Sequence, residues 1–172
     1  GIHKLSTNDF QGYKANILAS GVAVPWAYEA QQLLQNDWGI SADIWSVTSW
    51  TELRRDGLAH DEAKFLNPGV NFQKPYITEK LASSVGPFLG VSDYMHQVPD
   101  QIREWVPGEY ATLGAEGFGF SDTRAAARRH RLSRSHPLRR APRSALASVQ
   151  AVFSRARHPP CLPREVRWSK RR

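Results

Sequence analysis

Two stretches of the chain repeat one apolar spacing. Trp26, Ala30, Leu33 and Leu34 fall at i, i+4, i+7 and i+8, and so do Val98, Ile102, Trp105 and Val106. That spacing gathers each set on one face of an α-helix. The first helix is predicted to begin around Pro25, whose missing N–H costs nothing in a first turn, and to run to about Asp37 with Gly39 as its stop. Pro107-Gly108 ends the second. Four shorter runs have a different character: residues 15–20 (ANILAS), 42–48 (ADIWSVT), 87–91 (PFLGV) and 110–113 (YATL). Rich in β-branched and aromatic residues and bounded by turn residues, they are predicted strands. Glu52 to Leu66 reads as a helix broken at Gly57, with Ser49 and Thr51 as capping candidates beside Glu52. Residues 69–75 read as loop, and Ile77, Lys80, Leu81 and Ser84 as a short helix after Pro75.

Strands alternating with amphipathic helices require crossover connections. The predicted fold is therefore a three-layer α/β domain with a mainly parallel sheet covered on both faces. Ligands in such sheets favour the carboxyl ends of the strands. Four ends are visible: Ser20-Gly21, Thr48-Ser49, Ser92-Asp93 and Gly114 to Gly119. The first lies in "ASGVAVP", one glycine short of a dinucleotide fingerprint, and reads as a tight turn. "GAEGFG" spaces its glycines in the reverse of G-x-G-x-x-G and holds no lysine, so it is not a phosphate loop. Its glycines let a loop turn sharply, with Phe118 and Phe120 as anchors or contacts to a neighbour. Asp93 and Asp122 stand where a loop acid could work, and turn chemistry accounts for both equally well. His3, His60 and His96 lack metal-ligand spacing. No Ser/His/Asp arrangement or carboxylate pair is legible.

Composition changes this picture at one end. The 172 residues are 41% hydrophobic with six tryptophans, enough for one buried core. No apolar run approaches the roughly 18 to 20 residues of a membrane span, and no basic-then-apolar leader opens the chain. The single Cys161 has no disulfide partner within the chain and fits a reducing compartment. The chain opens at Gly1 without methionine and reads as a piece of a longer protein. Its net charge of +7 averages two unlike parts. Residues 1–122 carry eight Lys and Arg against fifteen Asp and Glu, whereas residues 123–172 carry fifteen bases and only Glu165. Such a basic segment binds phosphate backbones without sequence preference, which makes a non-specific nucleic-acid-binding protein the alternative reading. Only Phe153 and Trp168 are available there for base stacking, and five prolines argue against a recognition helix.

Several stretches carry a family likeness. "ADIWSVTSWTELRRDG" and "SDYMHQVPDQIREWVPGEYATLGAEGFGFSDTRAAARRH" resemble the carboxyl-terminal domain of the first, decarboxylating component of pyruvate dehydrogenase complexes. The type is the homodimeric bacterial one, within the transketolase-like thiamine diphosphate enzymes. "GIHKL" and "ILASGVAVPWAYEAQQLL" are similar to the opening of the same domain. The resemblance spans residues 1–129 and leaves 130–172 as a basic tail, expected to pack poorly. It implies a cytoplasmic parent enzyme that decarboxylates pyruvate and acetylates lipoyl groups, using thiamine diphosphate and magnesium. The implied partners are a second copy of the parent and the dihydrolipoamide acetyltransferase component, with no membrane partner. The family's magnesium-diphosphate motif, G-D-G followed some 25 to 30 residues later by asparagine, is absent. Arg55-Asp56-Gly57 imitates it, but Asn67 and Asn71 come too soon. No catalytic, cofactor or metal ligand is therefore expected on this piece, and no cofactor bound to it alone. Its expected contribution is scaffold and dimer surface, with a loop facing the rest of the enzyme at Gly117, Phe118, Gly119, Ser121 and Asp122. The resemblance also bears on the tail. Where the family continues into an acid-containing, apolar-striped helix, this chain turns to Arg, Pro, Ser and His, as a high-GC gene does when read out of frame. A frameshift near Arg129 to Arg131 is the expectation.

Overall fold

A computed structural model describes residues 1–115 and Thr123, and the alternation predicted from the sequence is its architecture. In chain order the elements are β1 (Ile2–Ser6), β2 (Tyr13–Ala19), α1 (Ala23–Trp38), β3 (Ile40–Val47), α2 (Trp50–Leu66), α3 (Tyr76–Leu81), β4 (Phe88–Val91), α4 (Gln97–Asp100), a 3-10 turn at Arg103–Trp105 and β5 (Tyr110–Leu113). The strands form one sheet in the order β1-β3-β2-β4-β5. All neighbours are parallel except β1, which runs antiparallel to β3.

Alternation along β2 divides the core in two. Ala15, Ile17 and Ala19 point to the α1 side, where they meet Ala23, Ala27, Ala30 and Leu34. Leu18 points the other way, into a cluster with Trp45, Trp50, Leu53, Ile77, Leu81, Phe88, Ile102 and Trp105. The sheet is thus packed on both faces, which completes the three layers. Alanines form most of α1's contact face, so the helix lies close against the strands, while Trp26 and Leu33 are only half-buried. Gly39 ends α1 as predicted, its N–H bonded to the Gln35 carbonyl at 3.1 Å. Ser49 caps α2, its hydroxyl accepting from the Glu52 N–H at 3.2 Å.

Two expectations need correction, and one strand was missed. Helix α2 runs unbroken through Gly57, because a tertiary contact overrides local propensity: a β-carbon there would overlap the Trp105 ring. Gly57 is a notch that receives the indole, whose Nε1 donates to Asp61 Oδ2 at 3.0 Å. The stripe from Val98 to Val106 is not one helix but splits into α4 and the 3-10 turn. Ile102 and Trp105 stay buried all the same. Finally, β1 was not predicted. Only Ile2 in it is buried, so an edge strand with one anchored residue shows no alternation.

Tyr110, at the start of β5, has a buried hydroxyl that donates to the Pro99 carbonyl at 2.7 Å. Burial pushes this phenol well above its ordinary range, with the Asp100 charge adding to the rise and Arg103 opposing it. The unfolded chain therefore releases its proton first. The stability gained by keeping Tyr110 neutral is full below about pH 10 and declines as pH rises further. Tyr110→Phe should cost about 1 kcal/mol at neutral pH and make the alkaline decline shallower than in the wild type. Denaturant titrations on both sides of pH ~10 check this, and an unchanged alkaline slope would count against it.

Candidate functional site

The strand order places a switch point between β2 and β4. From β2 the chain crosses through α1 to β3 on one side, then returns over the sheet through α2 and α3 to β4 on the other. Crevices at the carboxyl ends of such strands are the usual ligand sites of open α/β sheets. Two strand ends picked out in the sequence meet here. The Ser20 N–H donates to the Val91 carbonyl at 3.2 Å, and a β-carbon on Gly21 would lie 3.7 Å from Asp93 Oδ1. A third end joins through Trp50, whose indole N–H donates to Ser20 Oγ at 3.0 Å just after Thr48-Ser49. The fourth backs onto the same loop: Gly114 leaves no room for a β-carbon against Tyr94 to His96, and the Ala115 N–H donates to the Tyr94 carbonyl at 2.7 Å.

The chemistry available at this rim is limited. Ser20 is buried and its Oγ accepts the Trp50 N–H, while Ser92 is buried with its N–H on the Leu113 carbonyl and its hydroxyl turned to the Tyr94 carbonyl. Asp93 is an exposed carboxylate, and Val22, Tyr94 and Met95 are exposed apolar side chains beside it. Among the described residues the arrangement offers buried hydroxyls already engaged, one acid and an apolar rim. Neither serine hydroxyl is paired with a base there, and the arrangement reads as a contact surface. The apolar rim was not singled out in the sequence, where Tyr94-Met95 looks like an ordinary turn after an acid.

The predicted loop residues Gly117, Phe118, Gly119, Ser121 and Asp122 lie outside the described residues, as does the predicted tail. The histidines are not brought together: His3 is on β1, His60 on α2 with Nδ1 2.8 Å from the Asp56 carbonyl oxygen, and His96 precedes α4. Among the described residues no three His, Cys, Asp or Glu side chains are grouped to hold a metal ion. Arg55-Asp56-Gly57 sits inside α2, and Asp56 Oδ2 accepts the Tyr76 N–H at 2.7 Å at the start of α3. It is a helix-to-helix tie with no diphosphate-binding geometry. Arg55 is held more firmly protonated than usual by its hydrogen bond to Glu52 and by that carboxylate's charge, on the exposed flank of α2. No helix among the described residues is long and apolar enough to cross a membrane.

The family model for the transketolase-like TK C-terminal domain matches residues 1–131. The chain is 50% identical over 129 residues to the pyruvate dehydrogenase E1 component of Corynebacterium glutamicum, covering 75% of this chain and 14% of the relative. It is 56% identical over 117 residues to that of Mycobacterium tuberculosis, covering 68% and 13%. For that of Escherichia coli the identity is 37% over 131 residues, covering 76% and 14%. The chain therefore spans about one-seventh of the length of the curated relatives it matches.

Proposed function

The chain belongs to the family of transketolase-like C-terminal domains, and from that membership we propose that it serves as the carboxyl-terminal domain of a thiamine-diphosphate-dependent pyruvate dehydrogenase. The parent enzyme would be a homodimer that decarboxylates pyruvate and passes the acetyl group to the lipoyl group of a dihydrolipoamide acetyltransferase. The observation that carries the reading is 50% identity over 129 residues with a pyruvate dehydrogenase E1 component, a span that includes both core clusters. The relatives' names carry no nucleic-acid function, and nothing favours that reading of the basic segment.

The described residues do not fit the cofactor's diphosphate and magnesium. Asp56 is committed to α3, and among the described residues no three His, Cys, Asp or Glu side chains are grouped to hold a metal ion. No chemical step is therefore assigned to this domain. Its role is positional: a rigid sheet presents the rim around Ser20, Gly21, Asp93, Tyr94 and Met95, which would face the domains holding the cofactor. A chimera tests this. Residues 1–129 should replace the matching segment of the Corynebacterium enzyme with lipoyl acetylation from pyruvate retained. A chimera that folds and dimerises but has lost the activity would overturn the proposal. The isolated chain, given thiamine diphosphate and magnesium, should show no pyruvate turnover, and detectable turnover would contradict the positional role.

A further inference from the structure

Helix α2 is apolar on two sides. Trp50, Leu53 and Gly57 turn inward and are buried. Leu58, Phe65 and Leu66 fall at i, i+7 and i+8, which gathers them on a second stripe, and all three are exposed. Phe65, at 84%, is the most exposed large apolar side chain among the described residues. Val70 is exposed in the turn just beyond, which its N–H closes on the Asn67 carbonyl at 3.3 Å. Single exposed leucines are ordinary, but a surface helix normally keeps its outward face polar. Beside the stripe, residues 71–73 leave an open groove of about 440 Å³ against α2, lined by Ala59, His60, Ala63, Asn71, Phe72 and Gln73. Ala59, Ala63 and Leu66 follow at i, i+4 and i+7, so the helical wall of the groove runs into the stripe. Small and aromatic walls edged by amides and an imidazole suit an apolar side chain and the backbone that carries it.

This surface connects to Gly1. The Gly1 carbonyl accepts the Thr48 N–H at 2.9 Å, and a β-carbon on Gly1 would lie 3.7 Å from the Tyr76 ring. The Tyr76 N–H donates to Asp56 Oδ2 at 2.7 Å, and the Asp56 carbonyl oxygen lies 2.8 Å from His60 Nδ1 at the groove wall. In a parent enzyme about seven times longer, polypeptide attached at Gly1 would leave the domain along this path. Area decides against a free partner. The stripe exposes apolar surface of only a few hundred Å², short of the roughly 800 Å² that each side of a stable complex buries. A tether offsets the shortfall by holding the second surface at an effective concentration on the order of millimolar. Phe65 lies about 13 Å beyond Asp56 along the helix axis. A domain of ~100 residues, with a radius of gyration of about 13 Å, spans that distance.

We propose that the preceding domain of the parent polypeptide packs on this face of α2, with Leu58, Phe65 and Leu66 as anchors and one of its own apolar side chains in the groove. The proposal rests on the dehydrogenase reading and adds to it an interface separate from the strand-end rim. Hydrogen–deuterium exchange tests it, comparing the full chain with the Corynebacterium chimera that carries residues 1–129. Amides of residues 67–74 should exchange about tenfold or more slowly in the chimera than in the full chain. Phe65→Gln combined with Leu66→Gln should remove most of that difference. The same pair should leave the melting temperature of the full chain within about 2 °C, because polar substitutions at exposed positions cost little. A chimera that the pair destabilises while the full chain is unaffected shows the same dependence. An active chimera in which residues 67–74 exchange as in the full chain overturns the interface and leaves the dehydrogenase reading standing. A folded chimera without lipoyl acetylation overturns that reading and the proposal resting on it, and a chimera that does not fold contradicts both. Protection that appears only when the acetyltransferase is added, or sedimentation of the full chain that changes with the pair, names a different occupant and overturns the proposal.

Discussion

Gly86→Ala is expected to destabilise the domain by roughly 3 to 5 kcal/mol, a large part of the ~5–15 kcal/mol that holds a typical domain together. Two effects combine at this position. Its φ of +94° is one that side chains rarely adopt, and the added carbon would collide with the backbone of β2, 2.6 Å from the Lys14 carbonyl carbon. The strain alone costs about 1 to 3 kcal/mol. Relieving the collision means moving β2 and β4 apart where the Asn16 N–H meets the Pro87 carbonyl at 2.9 Å. Gly69 is the control. Its φ is +98°, but nothing lies within 4 Å of its would-be β-carbon, so Gly69→Ala should show the strain alone. Thermal melts of both variants decide the matter: equal losses would show that the close approach at Gly86 does not limit the fold.

Replacing residues 130–172 with the terminal segment of the Corynebacterium enzyme should raise the melting temperature by on the order of 10 °C. The family match stops at residue 131. On the α1 face, Leu89 is buried, but Val91, Ala111 and Leu113 on β4 and β5 are only partly so. A helix laid over them would bury several apolar side chains, at roughly 1.5 to 3 kcal/mol each. If residues 130–172 leave that face uncovered, exposed apolar surface favours self-association, and the chain as it stands should sediment as more than a monomer. A cooperative monomeric transition that neither deletion of residues 130–172 nor the replacement alters would show that the domain is complete by about Arg129. Sequencing the coding DNA past that residue gives a second check, since another frame should restore an acid-containing amphipathic helix.

How much of this was legible depended on which interactions are local. The strands β2 to β5 were readable because strands covered on both faces are short apolar runs. Strand β1 was not, since His3, Lys4 and Leu5 are exposed and only its partner β3 makes it a strand. Ala30 and Leu34 of the predicted stripe do meet the sheet, but Ala23 and Ala27 beside them did not register as apolar positions. Gly57 looked like a break because its use, receiving Trp105, comes from a residue 48 positions away. The four strand ends were visible one by one. That Ser20-Gly21 and Ser92-Asp93 form one rim follows from β4 lying beside β2, and the side to which a crossover returns is not written locally.

The antiparallel edge also sets an order of events during synthesis. Ile2 pairs with Val47 and His3 with Ser46, so the first of these five strands to be made cannot pair within the sheet until the third is complete. At ribosomal rates of about 5 to 20 residues per second, that gap of some 45 residues is a wait of roughly 2 to 9 s. Meanwhile β2 and β3, joined by a single helix, can assemble as a local parallel unit. Strand β1 can close on β3 only after β3 is made, a long-range pairing that adds to contact order. Its exposed His3 and Lys4 suit that delay, because polar and charged side chains on a waiting edge discourage pairing with another nascent chain.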